Sequence, residues 1–152
     1  MPGKLNYRRL KEFTGQEIAL SDWQKITQER INDFAECTGD RQWIHVDEEK
    51  AKKSPMKGTV AHSFLLLSLL PSFLYQIEGI ADRVMMAVNY GLNRVRFTSP
   101  VKPGARIRNR IVLKDVEKRG FRKVLITTEN TVEIQGKEKP ALVAEFLVLL
   151  YL

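Results

Sequence analysis

The chain has 152 residues, 43% hydrophobic and 28% charged, with a formal net charge of +7 and one cysteine, Cys37. That is the balance of an ordinary soluble globular protein, and the length fits one domain over residues 1–152 with a sizeable core. A lone cysteine excludes an internal disulfide framework, and the basic, polar first eleven residues lack the apolar core of a signal peptide, so the cytoplasm is the expected compartment.

The positive charge favours an anionic partner: nucleic acid, an acidic membrane or a phosphate-bearing small molecule. The basic residues group loosely around positions 8–11, 94–110 and 114–123. No run of five or six like charges forms a basic arm, and no nucleic-acid-binding motif is recognisable.

Residues 1–15 read as a polar lead-in, with a short helical turn around positions 7–13. Residues 17–26 carry Ile18, Leu20, Trp23 and Ile26 and are expected to form an early strand. Thr27 then reads as a helix N-cap, with Glu29 in the first turn. Ile31, Phe34, Ala35 and Thr38 keep helical spacing up to Gly39, a good helix stop. After a non-helical loop over residues 40–46, Asp47 caps a short helix that ends at Ser54-Pro55.

Residues 60–77 are apolar almost all round and predict one long helix buried on most faces. His62, Ser63, Ser68 and Pro71 interrupt it, so it is unfit to span a membrane, and Pro71 should kink it. From residue 84 the pattern turns to long β-rich stretches over 84–97, 105–117, 121–134 and 141–152, separated by Pro and Gly. The short connections imply antiparallel neighbours, and the last stretch should be central or covered on both faces. Together these predict an α+β fold: one buried helix against an antiparallel sheet of about five strands, with dimerisation covering what remains exposed.

Both histidines lie within residues 38–63, beside two aspartates and the start of the apolar run. Asp40 and His45 are the leading pair, because a water between a carboxylate and an imidazole has what general acid–base chemistry near neutral pH requires. The competing reading of Asp40 is a turn residue after a helix-ending glycine. The first turn of the apolar helix, at His62-Ser63, offers free N–H groups to an oxyanion, while the His62 imidazole reads as a packed side chain bonded to backbone. A zinc or iron site from Asp40, His45, Asp47 and His62 has suitable donors but no recognised spacing. Cys37 reads as a small apolar residue, and Ser63 lacks the G-x-S-x-G elbow of a nucleophile.

The run Phe34-Ala35-x-x-Thr38-Gly39-Asp40-x-x-x-Ile44-His45-x-Asp47, followed by Ala51 and Ala61-His62, resembles the MaoC-like (R)-specific enoyl-CoA hydratases of the hotdog fold. Residues 42–47 with 89–97 and Pro100-Val101 resemble the NodN-like branch in particular. The resemblance implies a dimer that adds water to a trans-2-enoyl-CoA to give an (R)-3-hydroxyacyl-CoA. By it, Asp40 removes the proton from water, His45 orients the water and shares in proton delivery to C2, and the backbone N–H of Ser63 holds the thioester carbonyl. The buried helix would line the acyl tunnel, and lysines and arginines near strand ends would hold the phosphates of coenzyme A. Coenzyme A is then part of the substrate, and no separate cofactor or metal is implied.

Two departures stand out: Gln42-Trp43 replaces the family's frequent Asn-Pro, and Ser63 its frequent Gly. Ser63 keeps a non-catalytic acyl-CoA-binding protein in play, and an acyl-CoA thioesterase is a third reading on the same fold.

Overall fold

The computed structural model describes residues 10–77 and 84–152; residues 1–9, which hold most of the expected lead-in, lie outside the described part. A 3-10 turn at Lys11–Phe13 is followed by strands β1 (Glu17–Leu20) and β2 (Gln24–Lys25). Helices α1 (Gln28–Thr38), α2 (Trp43–Val46), α3 (Glu48–Lys52), α4 (Ser63–Ser68) and α5 (Leu70–Tyr75) come next. The long strands β3 (Met86–Phe97), β4 (Arg106–Lys118), β5 (Lys123–Ile134) and β6 (Leu142–Tyr151) complete the chain.

All strands join one antiparallel sheet in the order β1-β4-β5-β6-β3, with β2 also paired to β4. The inward face follows the period of two that a pleated strand imposes. Ile107, Ile111 and Leu113 of β4, Ile126 and Val132 of β5, and Leu142, Phe146 and Leu150 of β6 are all buried. They pack with Leu65, Leu66, Leu70, Phe73 and Leu74 of α4 and α5 into the main core. The last strand is central, as expected, but only its Leu142, Ala144, Phe146, Val148 and Leu150 face is fully buried. Among the described residues no helix is long and apolar enough to cross a membrane.

Three expectations need correction. The early strand is two pieces, because residues 21–23 leave the ladder where Ser21 N–H donates to Asn109 O and Asn109 N–H donates to Ser21 Oγ. The loop over residues 40–46 contains a helical turn, α2, whose end carbonyls have tertiary partners: Val60 N–H for Ile44 and the Gln28 amide for His45. The apolar run is not one helix. Val60 and Ala61 stay outside the helix, their N–H groups donating to Ile44 O and Val101 O, and helix begins only at Ser63. It divides at Leu69, and Pro71 lies in the first turn of α5, where its missing N–H leaves no intrahelical bond unmade.

Candidate active site

The site is assembled by local signals that the chain places one after another. Thr27 Oγ1 accepts from Arg30 N–H at 3.1 Å and starts α1. Gly39 ends it in the left-handed region, φ 80°, with its N–H on Ala35 O at 2.9 Å. An L side chain strains in that conformation, so glycine lets the chain reverse immediately before Asp40. Asp47 Oδ1 accepts from Lys50 N–H at 2.9 Å and starts α3. Asp40 and His45 therefore stand between two capped helices, on a turn whose ends are fixed.

Asp40 is on the surface, its side chain 52% exposed. His45 and His62 are buried. One ligating atom from each of the three lies within 4.8 Å of the others. The His45 Nδ1–H donates to Val60 O at 2.7 Å, since a carbonyl can only accept. That fixes the tautomer and leaves the Nε2 lone pair as the free end of the ring. By the same reasoning the Nε2–H of His62 donates to Asp40 O at 2.9 Å. The two imidazoles stack at 3.8 Å between centroids and 22° between planes, and Phe34 meets His62 at 4.9 Å. The planes of rings so stacked do not meet at ligand distance, so their in-plane lone pairs do not converge on one ion. Asp47 is outside the cluster, its carboxylate spent on the α3 cap.

Asp40 Oδ2 lies 4.0 Å from His62 Nε2. Arg41, which follows Asp40 in sequence, is turned onto Glu36 through two bonds of 2.7 and 2.8 Å. Those bonds hold the Glu36 carboxyl below its ordinary range and raise the Arg41 guanidinium. Cys37 is exposed in the last turn of α1.

Ser63 directly follows His62 and is the first residue of α4, so its N–H has no acceptor inside the helix. Beside that helix runs an open apolar hollow of about 400 Å³, lined by Phe64, Leu67 and Pro71 on the helical side, Tyr90 and Leu92 of β3, and Phe146 of β6.

Sequence reading missed Gln28. Its Nε2 donates to His45 O at 2.7 Å and to Asn32 Oδ1 at 2.9 Å, while its Oε1 accepts from Thr59 Oγ1 at 2.5 Å. One carboxamide thus ties α1 to the turn carrying His45 and to the segment whose carbonyl orients that ring. No local pattern announces it, because two of its partners are 17 and 31 residues away. His62 is the packed, backbone-bonded histidine that was expected.

A family model described as MaoC like domain matches residues 10–135. The 3-hydroxyacyl-thioester dehydratase Z of Mycobacterium tuberculosis is 48% identical over 139 residues, which cover 91% of each chain. Nodulation protein N of Rhizobium leguminosarum bv. viciae is 44% identical over 90% of this chain and 85% of its own. Among solved structures, the (R)-hydratase from A. caviae involved in PHA biosynthesis superposes with a TM-score of 0.73 at 20% identity, covering 89% of this chain and 94% of that one. At that identity the superposition speaks for the hotdog fold alone. With the family model spanning most of the chain and two such relatives beside it, this protein belongs to the MaoC-like dehydratase family.

Proposed function

We propose that this chain is an (R)-specific hydratase/dehydratase, adding water to a trans-2-enoyl-CoA to give the (R)-3-hydroxyacyl-CoA and running the reverse reaction. The 3-hydroxyacyl thioester named for the mycobacterial relative supports the substrate class. The observation that carries the reading is the pairing of an exposed carboxylate at Asp40 with the His45 imidazole, a ring nitrogen and a carboxylate oxygen lying within 4.8 Å, while the Nδ1–H bond to Val60 O leaves the Nε2 lone pair free.

Two acceptors suit one water. The Asp40 carboxylate takes one O–H and His45 Nε2 the other, which leaves the oxygen lone pair for C3 of the enoyl group. As oxygen attacks C3, Asp40 removes a proton and electrons move through C2 onto the thioester oxygen. The Ser63 N–H meets that developing charge. The abstracted proton returns to C2, with His45 sharing in its delivery, so one water is added and both residues are restored. The hollow beside α4 supplies apolar lining for the acyl chain.

The working unit is a homodimer. Strand β3 is an edge of the sheet among the described residues, twelve residues long, with Met86, Val88, Tyr90, Leu92 and Phe97 exposed on it. Such an edge invites pairing or cover. The lone thiol favours a reducing compartment such as the cytoplasm.

Loss of enoyl absorbance after adding short trans-2-enoyl-CoA, with chiral separation of the product, tests the reaction. An Asp40→Asn, His45→Gln double variant should be slower by about 10²–10⁴-fold, the usual contribution of acid–base groups. Wild type no faster than the double variant on every chain length would refute hydration, and release of free thiol would point to hydrolysis instead.

A further inference from the structure

Arg41 N–H donates to Gly39 O at 3.0 Å across the Asp40 turn, but the bonds that Asp40's own N–H and carboxylate make within it are long: Asp40 N–H to Thr38 Oγ1 is 3.3 Å and Gln42 N–H to Asp40 Oδ1 is 3.4 Å. Both exceed the ordinary range for N–H···O bonds. The bond of ordinary length at Asp40 comes from the interior, the 2.9 Å donation by His62 Nε2–H to its carbonyl. The donor is only 2% exposed and stands as the cap residue before Ser63. Its ring also meets Phe34 at 4.9 Å and lays its flat face against His45. One residue therefore touches the Asp40 turn and the His45 ring with its side chain and leads by its backbone into the helix that presents Ser63.

A filler role does not account for an imidazole here. Its Nδ1 is buried with no hydrogen-bond partner among the described residues. An unsatisfied buried acceptor is a standing cost that an apolar ring of similar size would avoid. The cost is offset only where the opposite nitrogen's N–H is needed, and that N–H is on Asp40. A ring tied at one edge and stacked on a second ring sets the distance between the carboxylate and the His45 lone pair.

We propose that His62 is a positioning residue, holding the Asp40 turn at its carbonyl and the His45 ring by its face so that both acceptors meet one water. This rests on the hydratase reading for its kinetic consequence, but not for its structural one. Substrate contacts are left to other groups, so loss of the tie should fall on kcat rather than KM.

Two variants separate the roles. His62→Phe keeps a stacking ring and removes the N–H; His62→Gln places an amide N–H near the original donor. Misplacing reacting groups by an ångström costs about 10²-fold, so His62→Phe should lose kcat on that scale with KM within about threefold. His62→Gln should recover most of it, and His62→Phe should add no further loss in an Asp40→Asn background.

Amide hydrogen exchange over residues 39–42 supplies a readout independent of turnover. It should quicken in His62→Phe and return towards wild type in His62→Gln. Unchanged exchange in His62→Phe overturns the proposal even if hydration is confirmed. A kcat loss that persists in full in the Asp40→Asn background overturns it as well. If wild type does not hydrate enoyl thioesters, the reaction fails while the exchange experiment still decides the role of His62.

Discussion

Replacing Gln28 by alanine removes both donations by its amide and the acceptor of Thr59 at once. Thr59 is 4% exposed, so its hydroxyl loses a partner where water has little access. An unsatisfied buried polar group costs about 1–3 kcal/mol, and loss of the part-buried bond to His45 O belongs at the low end. Alanine returns a few tenths of a kcal/mol in helix propensity, roughly 0.3. The expected net loss is about 1–2.5 kcal/mol, which at roughly 2–4 °C per kcal/mol for a chain of this size is a Tm lower by about 2–10 °C.

The isosteric Gln28→Glu should be worse than alanine. It sets a carboxylate oxygen against the His45 carbonyl, where the amide now donates at 2.7 Å. Urea unfolding followed by circular dichroism, with an unchanged m-value, measures both variants, and hydration kinetics on the same samples report on the His45 turn. A Gln28→Ala protein within about 0.5 kcal/mol of wild type, the scatter of ordinary surface substitutions, would refute the clamp. So would a Gln28→Glu protein as stable as the alanine variant.

Glu133 gives a pH prediction. Burial pushes its carboxyl up, but the guanidiniums of Arg108 at 2.7 Å and Arg110 at 2.9 Å prevail and hold it below its ordinary range. A carboxylate whose pKa is lowered by folding stabilises the protein above its unfolded pKa, and that stability is lost as pH falls through the folded value. The urea-midpoint advantage of wild type over Glu133→Gln should therefore be full at neutral pH and shrink below about pH 4. On β3, Leu92→Arg should turn a dimer into monomers by light scattering at micromolar concentration without disturbing the core, since Leu92 is 42% exposed. A variant that stays dimeric would move the interface off this strand.

How much of this was legible follows the range of the interactions. The caps at Thr27, Gly39 and Asp47 were readable because each acts within four residues of itself. The long strands were readable from apolar content and from Pro and Gly punctuation, with ends shifted by one or two residues. The run over residues 60–77 was misread in its first part because apolarity says only that a segment is buried. Its non-helical start is held by Val101 O, forty residues from Ala61. Asp40 and His45 were visible as a pair because both sit on one turn. The clamp at Gln28 was not, and of His62 only a packed, backbone-bonded ring was legible, not the Asp40 carbonyl it holds, since both contacts exist only once distant segments meet.

Cys37, exposed in the last turn of α1 and three residues before Asp40, makes the molecule its own reporter. With no competing thiol in the sequence, a small fluorophore attached to the unaltered chain would sit three residues from Asp40, the carboxylate proposed as the base. Its polarisation would register whether that turn stiffens as a thioester arrives, without an engineered site.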